Sequence, residues 1–207
     1  MINLFSGTPG SGKSYHMARF IYNNIKYRDC LIIANFPVNL NGIKRKKGTF
    51  LCIENHKIQP KRLAKFANHY INYRKKVKRK GTPEGHIVLI IDEAQLLFNA
   101  REWNASGRND WNWFFTQHRH YKYDIYFVAQ FDRMLDRYIR CLIEYEYIHR
   151  KVNNFGKMGK FLSVLTMGNL FVAVKKWYPM KEVVGSEFMR GSKKYYKLYD
   201  TTTIFDG

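Results

Sequence analysis

The sequence predicts an α/β fold, with a central, mainly parallel sheet flanked by helices, on three observations. Short apolar runs alternate with amphipathic runs of helical period, a glycine-rich loop separates the first apolar run from the first helix, and 45% apolar content in 207 residues supplies one substantial core. Residues 2–6, "INLFS", are short and apolar enough for a buried strand, and 13–28 carry Met17, Phe20, Ile21 and Ile25 at helical spacing. A second buried strand follows at 30–37, closed by Pro37. A helix is expected over 59–76, with Pro60 in its first turn and Leu63, Phe66, Ala67, Tyr70 and Ile71 on one face. After a turn at Gly81 to Gly85, residues 86–91, "HIVLII", read as a third strand. A short helix begun by Asn109 or Asp110 is expected over 108–120, and 125–130 is a fourth strand. From about residue 143 the pattern changes to successive strands at 144–152, 160–166, 170–178 and 193–200, with a turn at Gly168-Asn169. The expected organisation is a core over 1–142, with a basic insertion at about 41–80, and a β-rich extension of the same domain over 143–207.

Composition narrows the function classes. Thirty-six Lys and Arg stand against 16 Asp and Glu, a net charge of +20 that points to nucleic acid, an anionic membrane surface or an acidic partner. Cys30, Cys52 and Cys141 lie far apart with no CxxC pair, and read as reduced core residues. The chain runs straight into its glycine loop, so no cleavable leader is expected, and its longest apolar-rich stretch, 161–174, is short for a membrane span.

Gly7-Thr8-Pro9-Gly10-Ser11-Gly12-Lys13-Ser14 matches GxxxxGK[ST] between a strand and a helix, where the motif has a mechanism. Glycines let successive backbone N–H groups curl around phosphates, and the helix beginning near Lys13 adds its positive dipole end. Lys13 reaches the β- and γ-phosphates of a nucleotide, Ser14 offers its hydroxyl to a bound Mg²⁺, and Tyr15 follows as a nucleotide-contacting residue. The motif arises by composition alone in roughly one chain of this length in a hundred. ATP with Mg²⁺ is therefore the expected cofactor.

A phosphate loop of this kind needs a carboxylate strand, and "HIVLIIDEAQ" supplies it. Asp92 is placed to hold Mg²⁺ through water, and Glu93 to orient and deprotonate an attacking water. The doublet argues for hydrolysis and for the Asp-Glu (ASCE) class of P-loop NTPase, in which the strand ending at Gln130 lies between the phosphate-loop strand and the Asp92 strand. Nucleotide is then expected at the carboxyl ends of these strands, at the topological switch point; a cleft filled by the protein's own tail would contradict this. Gln130 is a candidate to touch the γ-phosphate or the attacking water, with a plain strand-end turn as the equal alternative. Arg119 is a candidate for stabilising transition-state charge in its own or a neighbouring subunit's site, against a solvent-facing arginine at a helix end. His118 and His120 point to different sides of a helix, which disfavours a metal site there.

"FSGTPGSGKS", "LIIDEAQLLFNAREWN", "WFFTQHRHYKYDIYFVAQ" and "YKLYDT" together resemble the cytoplasmic ATPase domain of the filamentous-phage gene I assembly proteins, the zonular occludens toxin family. Phe98-Asn99, Arg101, Trp103-Asn104, the "HRH" element and the strand ending in Gln130 are more specific than a phosphate loop alone. The resemblance implies an ATPase that powers assembly and extrusion of the virion through the host envelope. It implies a homo-oligomer, a hexameric ring among the arrangements allowed, at the cytoplasmic face of the bacterial inner membrane. Other phage assembly proteins are the implied partners, and family members continue past the Tyr-Asp-Thr element into a transmembrane anchor. The toxin activity of the family name belongs to that later part and is not carried over.

Between residues 44 and 80 stand fourteen Lys and Arg against one acid, Glu54. "KRKK" (44–47) falls in a loop or hairpin and "RKKVKRK" (74–80) at the end of a helix, where cations suit the dipole. This density fits phage single-stranded DNA or its coat complex, gripped with marked salt dependence, or an anionic inner-membrane surface, or simply a solvated basic face. Tyr73 and His69 suit base stacking, whereas Phe66 and Tyr70 fit the helix's buried face. Three functions remain in order: an ATP-hydrolysing assembly motor, a nucleotide-gated structural adaptor, and a small-molecule phosphotransferase.

Overall fold

Strand β1, Ile2–Ser6, is buried at every position and lies inside an eight-stranded sheet of order β3-β2-β4-β5-β1-β6-β7-β8. The computed structural model describes residues 1–78, 81–99, 105–152 and 169–199. The other strands among the described residues are β2 (Leu31–Ala34), β3 (Thr49–Cys52), β4 (Ile87–Ile91), β5 (Tyr123–Val128), β6 (Tyr145–Lys151), β7 (Leu170–Trp177) and β8 (Glu182–Arg190). All neighbours from β3 through β6 pair in parallel, and β7 and β8 add antiparallel to that side. As expected for the Asp-Glu class, β5 lies between β1 and β4.

Alternation along the buried strands sends side chains to two cores, which is why the runs are apolar throughout. Leu4, Ile33, Leu89 and Phe127 face α2 (Pro60–Lys78), α3 (Ala105–Gln117) and α4 (Arg137–Leu142) through Leu63, Ala67, Phe114, Phe115 and Ile139. Phe5, Ile32, Val88 and Val128 face the other way, onto Met17, Ile21 and Ile25 of α1 (Lys13–Tyr27). Phe66 and Tyr70 pack against the first core, as the helical spacing implies.

Several expectations need correction. The line expected at 142/143 between core and extension falls inside the sheet, because β6 pairs directly with β1 and carries the core sheet past it. The segment at 193–200 is not a strand: Lys193–Tyr196 form a short helix, α5, and the chain then packs across the sheet's end through Leu198 and Tyr199. Tyrosine's strand preference reflects packing on a half-buried pleated surface, and here α1 supplies a different surface. Helix α3 begins at Ala105 rather than near Asn109, while β3, β8 and α4 carry too little periodic apolar signal to stand out. Cys30 is buried, but Cys52 and Cys141 are exposed. The expected strand at 160–166, Gly168 of the turn, and Arg101, Trp103 and Asn104 lie outside the described residues. Among the described residues no helix is long and apolar enough to cross a membrane.

Candidate nucleotide site

The loop 7–12 leaves β1 at the carboxyl end of the parallel strands and enters α1. Gly7 N–H donates to the Gln130 carbonyl (3.0 Å) and Ala129 N–H to the Phe5 carbonyl (3.0 Å), so the end of β5 is laced to the start of the loop. Gly7 adopts φ 142° and its missing Cβ would stand 2.6 Å from the His149 carbonyl oxygen, so any side chain here would collide with β6 backbone. Gly12, at φ 99°, occupies the left-handed conformation just before α1, with Phe171 filling the space a Cβ would take. Helix α1 has no side-chain cap, so its first N–H groups stay free to meet an anion. Among the described residues the buried Ser11 hydroxyl has no hydrogen-bond partner and is a further donor in the loop. Lys13 folds back so that its ammonium donates to the Gly7 and Thr8 carbonyls. Burial lowers its pKa, and the Glu93 and Asp92 carboxylates act in the opposite direction.

Asp92 and Glu93 follow β4 directly, two strands away from β1. Glu93 takes a left-handed conformation (φ 47°, ψ 47°), unusual for a residue with a side chain, and its N–H donates to Asp92 Oδ1 at 2.9 Å. Gln95 donates to the Glu93 carboxylate. Asn35 at the end of β2 grips the backbone of Asp92 from both sides: its Nδ2 donates to the Asp92 carbonyl (2.8 Å) and its Oδ1 accepts the Asp92 N–H (2.7 Å). Sequence reasoning passed over Asn35, although a polar residue ending an apolar strand beside the acidic strand was the available signal.

Pro9 to Gly12 of the loop, Lys13, Ser14, Tyr15, Asp92, Glu93 and Gln130 line one cavity of about 440 Å³, which brings most of the residues expected to act on nucleotide together. Gly7 and Thr8 border an adjoining hollow with Gln130, Glu146 and His149. Arg119 is the exception. It sits before β5, at the amino ends of the strands, held by Glu144 (2.9 Å) and Glu84 (3.5 Å). It does not serve the phosphate loop of its own chain, and the expectation keeps only its neighbouring-subunit form.

Two further elements of the site come from residues distant in sequence. The Tyr199 hydroxyl donates to Asp92 Oδ2 at 2.5 Å, and its ring leans on Phe36. Burial raises the Asp92 pKa, opposed by this hydroxyl and by the Glu93 amide; burial and Asp92 together raise that of Tyr199. The described part of the tail, to Tyr199, therefore borders the cavity and engages one carboxylate without filling the space. Beneath the loop, His149 and His16 are buried in contact, His16 Nδ1 and His149 Nε2 being 2.9 Å apart. His149 Nδ1 faces the Ser6 carbonyl at 3.0 Å and so carries the proton, which makes its Nε2 the acceptor for His16 Nδ1–H. His16 Nε2 is then unprotonated and points at Glu187, which Arg19 already holds at 2.7 Å. Burial depresses both imidazoles, His16 to about 3 and His149 to about 4.

The donor set fits a nucleotide triphosphate with its divalent cation: free helix N–H groups, the unpartnered Ser11 hydroxyl and Lys13 for phosphates, Ser14 and Asp92 for Mg²⁺. An anion-binding loop between a parallel strand and a helix, with an acidic doublet ending a strand two places away, defines the P-loop NTPase class. The chain belongs to the zonular occludens toxin family, whose model, described as "Zonular occludens toxin (Zot)", matches residues 1–204. Among solved structures it is similar to the N-terminal domain of zonular occludens toxin from Neisseria meningitidis (20% identity, TM-score 0.56, covering 97% of this chain and 98% of that one). The genome packaging NTPase B204 from Sulfolobus turreted icosahedral virus 2, in complex with ATP-gammaS, matches at 15% identity and TM-score 0.51, covering 91% and 96%. A further solved ATPase domain matches at 10% identity and TM-score 0.57, covering 95% and 83%. At these identities the likeness is one of fold. No curated protein sequence matches the chain.

Proposed function

We propose that this chain is an Mg²⁺-dependent ATPase, the motor domain that powers filamentous phage assembly and virion extrusion from the cytoplasmic face of the host inner membrane. The observation that carries the reading is the meeting of the glycine loop, Lys13, Ser14, Asp92, Glu93 and Gln130 around one open cavity, in a chain of the zonular occludens toxin family. Lys13 and the loop amides bind the β- and γ-phosphates; Glu93 holds and deprotonates the attacking water; Gln130 senses the γ-phosphate. Bound Mg²⁺ supplies charge neutralisation on the phosphate oxygens, with Ser14 and Asp92 as its protein contacts.

The motor works as a homo-oligomer, with a hexameric ring among the arrangements that offer Arg119 a neighbouring site to serve. Its cations contact phage single-stranded DNA or the coat complex and the anionic membrane surface, alongside other assembly proteins and a transmembrane anchor. Lys44 to Lys47 are exposed, as are Lys61, Arg62, Lys65, Lys75 and Lys76, whereas Arg74 is buried in a two-bond pair with Asp29. The contacts Gly48 N–H to Ile25 carbonyl and Arg74 to Asp29 put the loop and the end of α2 at the amino ends of the strands, away from the nucleotide cavity.

A nucleotide-gated adaptor remains the second reading because the Tyr199 hydroxyl already occupies Asp92 and Lys13 is turned onto its own loop. Steady-state ATP hydrolysis across a wide range of protein concentration, with Lys13→Ala as the blank, separates the two. Specific activity that climbs with concentration supports a motor completed between subunits. Nucleotide binding with no turnover above the blank, at any concentration and with DNA present, makes the adaptor the better account.

A further inference from the structure

The nucleotide cavity has two chemically different parts. Lys13, Ser14, Asp92, Glu93 and Gln130 form the polar lining, with the Tyr199 hydroxyl on Asp92, and Tyr15 with the rings it touches, Phe171, Tyr195 and Tyr196, forms the aromatic lining. A nucleotide has the same asymmetry, anionic at its phosphates and flat and aromatic at its base. We propose that the ring of Tyr196 is the stacking platform for the base, which the site then reads by its face and size rather than by hydrogen bonds to its edge. The proposal deepens the nucleotide-site reading and rests on it.

The aromatic lining is fixed in place. Tyr15 follows Ser14, so it begins where the phosphate-binding residues stop, and its hydroxyl donates to the Arg190 carbonyl at 2.7 Å. Its ring lies 5.6 Å from that of Phe171 and 4.9 Å from that of Tyr196, and Tyr195 meets it edge-on at 5.7 Å. Tyr15 and Tyr195 are buried at 5% and 9%, whereas Tyr196 is 45% exposed and retains ring surface for a ligand. Gly191 leaves room for that ring, since a Cβ there would stand 2.9 Å from the Tyr196 hydroxyl oxygen. Beyond the ring, Leu198 is buried against the α1 core and its carbonyl accepts the Asn39 N–H at 2.8 Å, which anchors the segment at both ends. A platform that is already ordered binds a flat ligand without a large ordering cost. With the Tyr15 hydroxyl engaged by backbone, recognition falls to stacking, which tolerates any base and favours the larger purines.

The test is equilibrium binding of ATP, GTP, CTP and inorganic tripolyphosphate to the full chain and to Tyr196→Ala, Tyr196→Phe and Lys13→Ala. Tyr196→Ala should bind ATP and GTP about tenfold more weakly and CTP with a smaller loss. Tyr196→Phe should bind like the parent. Tripolyphosphate, which has no base, should bind Tyr196→Ala as it binds the parent, and this doubles as the control for a folded site. Unchanged ATP affinity in Tyr196→Ala overturns the proposal, and so does an equal loss for ATP and tripolyphosphate. If Lys13→Ala binds both ligands as the parent does, the phosphate-loop reading fails and takes the proposal with it; a failure confined to the Tyr196 variants leaves the loop intact.

Discussion

The two ends of the sheet are built from opposite chemistry. At the carboxyl ends the glycine loop, the Asp92-Glu93 doublet and Gln130 meet the tyrosines of the tail around a cavity whose described lining includes one lysine, Lys13. At the amino ends Lys44 to Lys47 and the last turns of α2 present exposed cations, and Arg119 is neutralised by Glu144 and Glu84. Part of the net charge of +20 is therefore placed away from the cavity lining, and the free N–H groups of α1 add a positive dipole end beside Lys13. A parallel sheet explains the separation: it gathers every strand's carboxyl end on one side, so several loops build one site there, and leaves the opposite end free for another partner.

The largest way to test this contrast is Glu93→Gln, which keeps the size and removes the base. ATP should still bind, while turnover falls about 10²- to 10⁴-fold, measured by phosphate release alongside nucleotide binding. Loss of binding as well would remove Glu93 from its role.

Replacing Lys44, Arg45, Lys46 and Lys47 by alanine acts on the other end. Affinity for single-stranded DNA should fall, and the slope of log K against log salt should shrink by about 3, since each neutralised phosphate contributes about 0.7. Basal ATP hydrolysis should not change; if it collapses, the two ends are not independent.

Acidification should act on the nucleotide end through stability. His16 and His149 remain neutral down to about 3 and about 4 when folded, against about 6.5 in the unfolded chain. Between these values the unfolded chain binds protons that the folded chain refuses, so this stabilisation is complete above about pH 6.5 and is lost on the way down to the folded values. The urea midpoint should be lower at pH 5 than at pH 7, and His149→Gln should flatten that difference.

Arg119→Ala should have the smallest effect on an isolated subunit. Its side chain is tied at the wrong end for its own site, so turnover at low protein concentration should change by less than about twofold. A loss that emerges only as concentration rises would assign Arg119 to the neighbouring subunit's site.

Much of the site was legible because its parts are local. Gly7 to Ser14 is a contiguous run whose geometry follows from its own glycines, and Asp92-Glu93 follows an apolar strand that announces itself by composition. Gln130 was expected as the last residue of a strand at 125–130; the strand runs Tyr123–Val128, and Gln130 follows it in a bend tied to the loop by the Gly7 N–H on its carbonyl. Arg119 was misplaced for its own subunit because a sequence gives the ends of strands without saying which side of the sheet a turn occupies. Asn35 was missed because its partner is the backbone of Asp92, 57 residues away.

The sequence by itself determined the chemistry: a phosphate loop, an acidic doublet, a parallel α/β sheet and a cationic region at 44–80. Glycine conformations, helix dipoles and apolar periodicity are short-range properties, and a short segment carries them wherever it lies. Only the tertiary structure decided that β6 continues the core sheet, that Lys44 to Lys47 and the last turns of α2 stand at the end opposite the nucleotide cavity, and that the tail supplies an aromatic wall. The Tyr199 contact with Asp92 joins residues 107 apart, and the His16–His149 contact joins residues 133 apart. Such contacts depend on the packing of the whole sheet, so no local run of residues encodes them.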